Sequence, residues 1–167
     1  MKRYLGPETK KDKKGREYPN YGKEINLLAY CLMPNHFHLL IYSLNDPTQI
    51  AHFMQSLITT YVMYFNKKYK RTGGLFGHKY RAVLITSDDQ LWHISRYIHL
   101  NPLDLSHGYE KYEYTSFRNY MGVKNSSWLK TQAILDLFDG NKKDYHQFHN
   151  DYIDRWRELK EIEADLY

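Results

Sequence analysis

The chain is poor in cysteine, in long apolar runs and, through its middle, in acidic charge, and each shortage excludes something. Cys31 is the only cysteine, so no disulfide can form within the chain. No apolar run approaches the roughly 20 residues of a membrane-spanning helix, and the N-terminus lacks the hydrophobic region of a secretory signal. Both absences point to a protein of the cytoplasm with no membrane partner. Between Tyr61 and Arg81 there is no acidic residue, while Lys67, Lys68, Lys70, Arg71, Lys79 and Arg81 supply six positive charges. No internal repeat and no clear second domain stand out, and 167 residues suit one compact domain.

What is present is basic and aromatic. The net charge is +5 and the pI about 9.1, a modest bias toward polyanions. It is unevenly spread: eight basic residues against four acidic up to Glu24, but five against seven from Asn141 onward. Tyrosine alone accounts for 17 positions. A core of this size leaves some of those rings for the surface, where base stacking is one common use.

Residues 1–24 are Lys-rich and turn-rich and read as a mobile basic loop. Ile25 to Cys31 reads as a strand, Leu32 to Asn35 as a turn with Pro34 and Asn35, and His36 to Ser43 as the second strand of an antiparallel hairpin. Asp46-Pro47 predicts a helix start. Ile50, Phe53, Met54, Leu57, Ile58, Tyr61, Tyr64 and Phe65 then recur at helical spacing, and Tyr61 is expected in the core. Cations and Gly73-Gly74 stop that helix. Tyr80 to Thr86 reads as a third strand. Ser87-Asp88-Asp89-Gln90 is a capping-box pattern with Gln90 reaching back, and the helix it opens ends at Asn101-Pro102, because a residue before proline disfavours helical geometry. A short helix near Leu129 to Phe138 and a polar one from Tyr145 to Leu166 complete the chain.

Two constellations carry chemistry. In His36-Phe37-His38 alternate side chains on a strand share a face, about 6.6 Å apart at the backbone, so two imidazoles can share one metal ion. A hydrogen-bonded or surface pair has the same spacing. Tyr97 and Asn101 are four apart on the second long helix and share its face. The amide oxygen suits a hard divalent ion, and the phenol is a nucleophile once its proton is lost. A packed tyrosine and a plain helix-end asparagine would give the same pattern. His52, His78, His93 and His99 are read as hydrogen-bonded or surface histidines.

The stretches Tyr30-CLMPNHFHLLIY, Tyr61-VMYFNKKYKRTGGLF and Ser95-RYIHLNPL, with Tyr112-EYTSFRNYMG after them, resemble the single-tyrosine transposases of the HUH superfamily, above all the REP-associated and insertion-sequence types. The resemblance runs from about Ile25 to Gly122. It implies that His36 and His38 bind the catalytic metal, Mg2+ or Mn2+ in the cell, that Asn101 completes the site, and that Tyr97 attacks DNA. It also implies cleavage and rejoining of single-stranded DNA, with hairpin structure, through a covalent 5′-phosphotyrosine. The implied fold is an α+β sandwich, ferredoxin-like or RRM-like, with an antiparallel sheet backed by helices. The family's first strand and helix are missing or altered here, Lys2 to Leu5 resembling the tail of that helix. An open sheet edge would follow, and a homodimer could cover it.

The expected organisation is a basic segment 1–24, a catalytic core 25–122 and a helical extension 123–167. Lys67, Lys68, Lys70, Arg71 and Arg81 are candidate phosphate contacts, and Tyr64 and Tyr69 candidate stacking rings. Two other readings remain open. One is a truncated or inactive transposase-derived DNA-binding domain. The other is a zinc hydrolase built on His36 and His38.

Overall fold

A computed structural model of the chain describes residues 1–158. In chain order its elements are α1 (Lys2–Leu5), β1 (Ile25–Leu32), β2 (Phe37–Ser43), α2 (Thr48–Lys68), α3 (Asp88–Leu100), α4 (Gly108–Lys111), α5 (Phe117–Tyr120), α6 (Gln132–Leu135) with a 3-10 turn (Asp136–Phe138), and α7 (Lys142–Asn150). Residues 153–158 are again helical. The architecture is α+β, a two-stranded antiparallel sheet backed by helices. Packing divides the chain into two compact units. Unit 1 holds residues 1–27, 41–85 and 127–129, and unit 2 holds residues 28–40, 86–126 and the described residues from 130 onward.

In unit 1 the N-terminal residues are not the free loop expected from their composition. Tyr4, Leu5 and Tyr21 are buried. The Tyr4 hydroxyl lies 2.6 Å from Thr60 Oγ1 and donates to Ser56 O at 3.2 Å, while the Tyr21 hydroxyl lies 2.9 Å from Ser56 Oγ. Both rings pack edge-on against Phe53, at 6.4 and 5.8 Å. Two tyrosines thus give a polar segment apolar anchors that charge counting does not register. At the start of α2, Asp46 accepts from Thr48 N at 2.9 Å and Thr48 Oγ1 at 2.6 Å. Only Phe53 and Met54 of its apolar stripe are fully buried. Tyr61, expected in the core, is 46% exposed and meets Phe65 and Phe76 instead.

The third strand expected over Tyr80 to Thr86 is absent. Residues 79–86 have no regular structure, and Val83 and Leu84 are 87% and 83% exposed. β-propensity makes a strand only where a neighbouring edge supplies hydrogen bonds.

In unit 2 the carboxyl half of β1 is held from two sides. Besides β2, it meets residues 114–116: Leu32 N donates to Tyr114 O and Ser116 N to Tyr30 O, each at 2.9 Å. The chain itself therefore covers part of the edge from which a partner copy was inferred. Ser87 caps α3 by accepting from Gln90 N at 3.2 Å, worth about 1 kcal/mol. Gln90 reaches back one residue beyond the expected capping box, its Oε1 accepting from Thr86 N at 2.9 Å. The C-terminal helix expected from Tyr145 to Leu166 begins earlier, at Lys142, and breaks after Asn150; its portion beyond 158 lies outside the described residues.

Candidate active site

The turn before β2 is closed by Met33 N donating to His36 O at 2.9 Å, so His36 stands just outside the strand and His38 on it. The two imidazoles lie on the same side, ring centroids 5.0 Å apart and edge-to-face. His36 is exposed and His38 half-buried. Strand alternation brings them together, and the turn lets His36 lean toward its neighbour.

α3 presents Tyr97 and Asn101. Contrary to the rule for a residue before proline, Asn101 keeps helical geometry, with φ −47° and ψ −40°. Its side-chain Nδ2 donates to Tyr97 O at 2.8 Å, which holds it in phase with Tyr97. That bond also decides what the amide offers outward: Oδ1, 3.5 Å from His36 Nε2. The other ring nitrogen of His36, Nδ1, lies 2.7 Å from Asn35 Oδ1. In a neutral imidazole that nitrogen carries the proton and donates, which leaves Nε2 a bare acceptor. Two acceptors then face each other with no hydrogen between them. Such a pair is relieved by a cation, and a ligating histidine typically donates its far N–H to an oxygen in this way.

Tyr97 is 39% exposed. Its ring lies 5.3 Å from that of His38, nearly perpendicular, and 5.2 Å from the indole of Trp156. The buried face of α3 explains why this side chain is held. His99 is fully enclosed, Nε2 at 2.7 Å from Ser116 Oγ and Nδ1 at 2.9 Å from the Tyr145 hydroxyl. Ser116 Oγ in turn accepts from Tyr30 N at 2.8 Å, tying α3 to β1. Burial drives the His99 imidazole well below the ordinary histidine range, with His149 adding to the effect. Burial likewise pushes the Cys31 thiol up to about 12, which removes it as a competing nucleophile.

Among the described residues no three His, Cys, Asp or Glu side chains converge as a metal site. The donor set on offer is two imidazoles and one amide oxygen. That set fits a labile, oxygen-preferring divalent ion that takes further oxygens from phosphate and water. It falls short of the closed nitrogen and sulfur shell of a structural zinc site.

The candidate DNA contacts lie apart in the sequence and belong to unit 1, whereas His36, His38, Tyr97 and Asn101 belong to unit 2. Lys67 and Lys68 close α2, Lys70 adopts the left-handed conformation at φ 52°, and Lys67, Lys68, Lys70, Arg71, Tyr64, Tyr69 and Arg81 are all exposed. Lys68 Nζ stands 6.0 Å from the Tyr64 ring centroid and 5.3 Å from that of Tyr69, and Arg71 sits 5.7 Å from Phe65. The nearby Tyr64 hydroxyl, then Tyr69, raise the Lys68 ammonium above its usual value. Of the remaining histidines, His93 has Nδ1 2.8 Å from Arg96 Nη2, a structural bond. Sequence reasoning missed Trp156, which lies in no motif, and the role of Arg96, which stands in the Ser95-RYIHLNPL stretch but whose partners Phe148 and Tyr152 are distant in the chain.

A family model described as "Transposase IS200 like" matches residues 17–101, half of the chain. The matched span contains both histidines and Tyr97 and ends on Asn101. No curated protein and no solved structure matches the chain.

Proposed function

This chain belongs to the IS200-like transposase family, and on that premise we propose that it cleaves and rejoins single-stranded DNA with Tyr97 as nucleophile. One observation carries the reading. His36 with Asn101, at 3.5 Å, and His38 with Tyr97, at 5.3 Å between rings, bring two imidazoles, an amide oxygen and a phenol together within one packed unit.

His36, His38 and Asn101 would hold a divalent ion, Mg2+ or Mn2+, which when bound withdraws charge from the scissile phosphate. The chain's own part is to aim the phenol. In cleavage the bond from Tyr97 oxygen to phosphorus forms as the bond to the 3′ oxygen breaks. The phenolic proton is lost, and the 3′ oxygen gains one. The product is a 5′-phosphotyrosine, which keeps the phosphodiester energy, so a 3′ hydroxyl can reverse the step without a nucleotide cofactor. The cations Lys67, Lys68, Lys70, Arg71 and Arg81 would neutralise phosphates, and Tyr64 and Tyr69 would stack on unpaired bases, the natural mode for single strands. A hairpin-bearing single strand is the proposed substrate.

The test is incubation with labelled hairpin DNA and Mn2+, resolved on a denaturing gel. A protein–DNA band is expected that vanishes on chelation and in Tyr97→Phe. A band that persists in Tyr97→Phe would sink the assignment of the nucleophile. DNA retained under native conditions with no band in any sample would mark a binding domain without chemistry.

A further inference from the structure

Resting on the reading of Tyr97 as nucleophile, we infer that Trp156, on the helical run at residues 153–158, is a positioning residue that fixes the Tyr97 ring. In that run Trp156 is the one fully buried side chain, with Asp154, Arg155, Arg157 and Glu158 exposed. The run's main apolar anchor is therefore set against a tyrosine ring that is itself 39% exposed, at 5.2 Å. Together with His38 at 5.3 Å, it gives the phenol two ring neighbours from two separate parts of unit 2.

A second arrangement brings the tryptophan there. Arg96, the residue before Tyr97, is buried and its guanidinium lies 4.0 Å from the Phe148 ring centroid and 3.8 Å from that of Tyr152. Its Nη1 donates to Phe148 O at 3.2 Å. The chain turns at Asp151 and Tyr152 between α7 and the run that carries Trp156. Arg96 thus clamps that turn onto α3 one residue from the nucleophile, so the position of Trp156 is registered against the same helix it supports. An exposed tyrosine free to rotate seldom presents its oxygen in line with a bond, and small misplacements are costly in rate.

The test compares full-length Trp156→Ala and Trp156→Phe with the parent chain, using labelled single-stranded hairpin DNA and Mn2+. Single-turnover rates of adduct formation at saturating DNA are measured beside DNA affinity. Trp156→Ala is expected to slow the step roughly tenfold to a hundredfold with DNA affinity unchanged, and Trp156→Phe to recover most of the rate. A readout free of chemistry accompanies it. The near-ultraviolet circular dichroism difference between parent and Tyr97→Phe should shrink in the Trp156→Ala background, because ring coupling is lost. An unchanged rate, an equal loss of affinity and rate, or a faster reaction in Trp156→Ala would overturn the inference. Adduct that persists in Tyr97→Phe, or none in the parent chain, would defeat the nucleophile assignment, and the circular dichroism difference would then decide the ring contact by itself.

Discussion

The two long helices are built to opposite specifications. α2, 21 residues long, buries only Phe53 and Met54 completely and leaves its last turns, with Tyr61, Tyr64, Lys67 and Lys68, in solvent. α3, 13 residues long, buries Ser95, Arg96, Ile98, His99 and Leu100, with hydrogen bonds to β1-bound Ser116, to Tyr145 and to Phe148. The contrast follows from the tasks proposed for them. Phosphate neutralisation works through charge and tolerates loose side chains. Attack at phosphorus needs a group held within a fraction of an ångström. The hydrogen-bonded buried groups Ser95, Arg96 and His99 restrain α3, because any shift would strand them.

The sharpest way to break this comparison is Tyr97→Phe. It should abolish the covalent adduct while leaving salt-sensitive DNA retention intact, measured by denaturing gel and filter binding in parallel. Loss of both together would mean that the chemistry and the binding are not separable as described. Next in size, Phe53→Ala removes the ring on which Tyr4 and Tyr21 pack and should cost about 3–5 kcal/mol in urea unfolding. A change below 1 kcal/mol would show that α2 is not anchored through this residue.

A pH titration of stability probes the interior of unit 2. His149 is fully buried, with Nδ1 at 2.8 Å from Tyr145 O and with His99, Tyr109, Phe117, His146 and Arg96 as neighbours. Burial lowers its imidazole from 6.5 to about 3, the Tyr145 carbonyl opposing and the charges of Arg96 and His146 adding slightly. Below pH 6.5 the unfolded chain takes up a proton that the folded one refuses. The stability is therefore whole above that pH and lost as pH falls toward 3. Between pH 7 and 4 the part of the loss due to His149 should reach roughly 3 kcal/mol, read by thermal melting. His99, lowered by burial in the same way, adds to the total, so His149→Gln should make the slope shallower without removing it. The smallest effect concerns the exposed end of α2. Replacing Lys67, Lys68, Lys70 and Arg71 by Gln should weaken single-strand binding roughly tenfold and lower the salt slope by about 2–3, with thermal stability unmoved.

Much of the fold was legible where a local rule and the packing agree. The hairpin, the start of α2 at Asp46-Pro47 and the Ser87 cap all rest on turn and cap chemistry contained in a few adjacent residues. The misses share a cause. Tyr80 to Thr86 has strand composition without a strand beside it. The segment 1–24 looks disordered by charge, yet Tyr4 and Tyr21 anchor it. Tyr61 sits on a helical stripe whose upper half nothing covers. For the site, His36, His38, Tyr97 and Asn101 were within reach because strand and helix periods pair them two by two. Arg96, Trp156 and the His99 network were not, because the partners described for them on other elements lie 17 to 59 residues away in the chain.

By itself the sequence determined the residue chemistry and the pairings inside single elements: imidazoles two apart, phenol and amide four apart, cations gathered after one helix. Backbone periodicity alone dictates those. Only the tertiary structure decided that the two pairs meet, that Asn101 turns its oxygen toward His36, and that an indole from the far end of the chain lies against Tyr97. Those facts depend on hydrogen bonds and burial between distant segments, which no local pattern encodes.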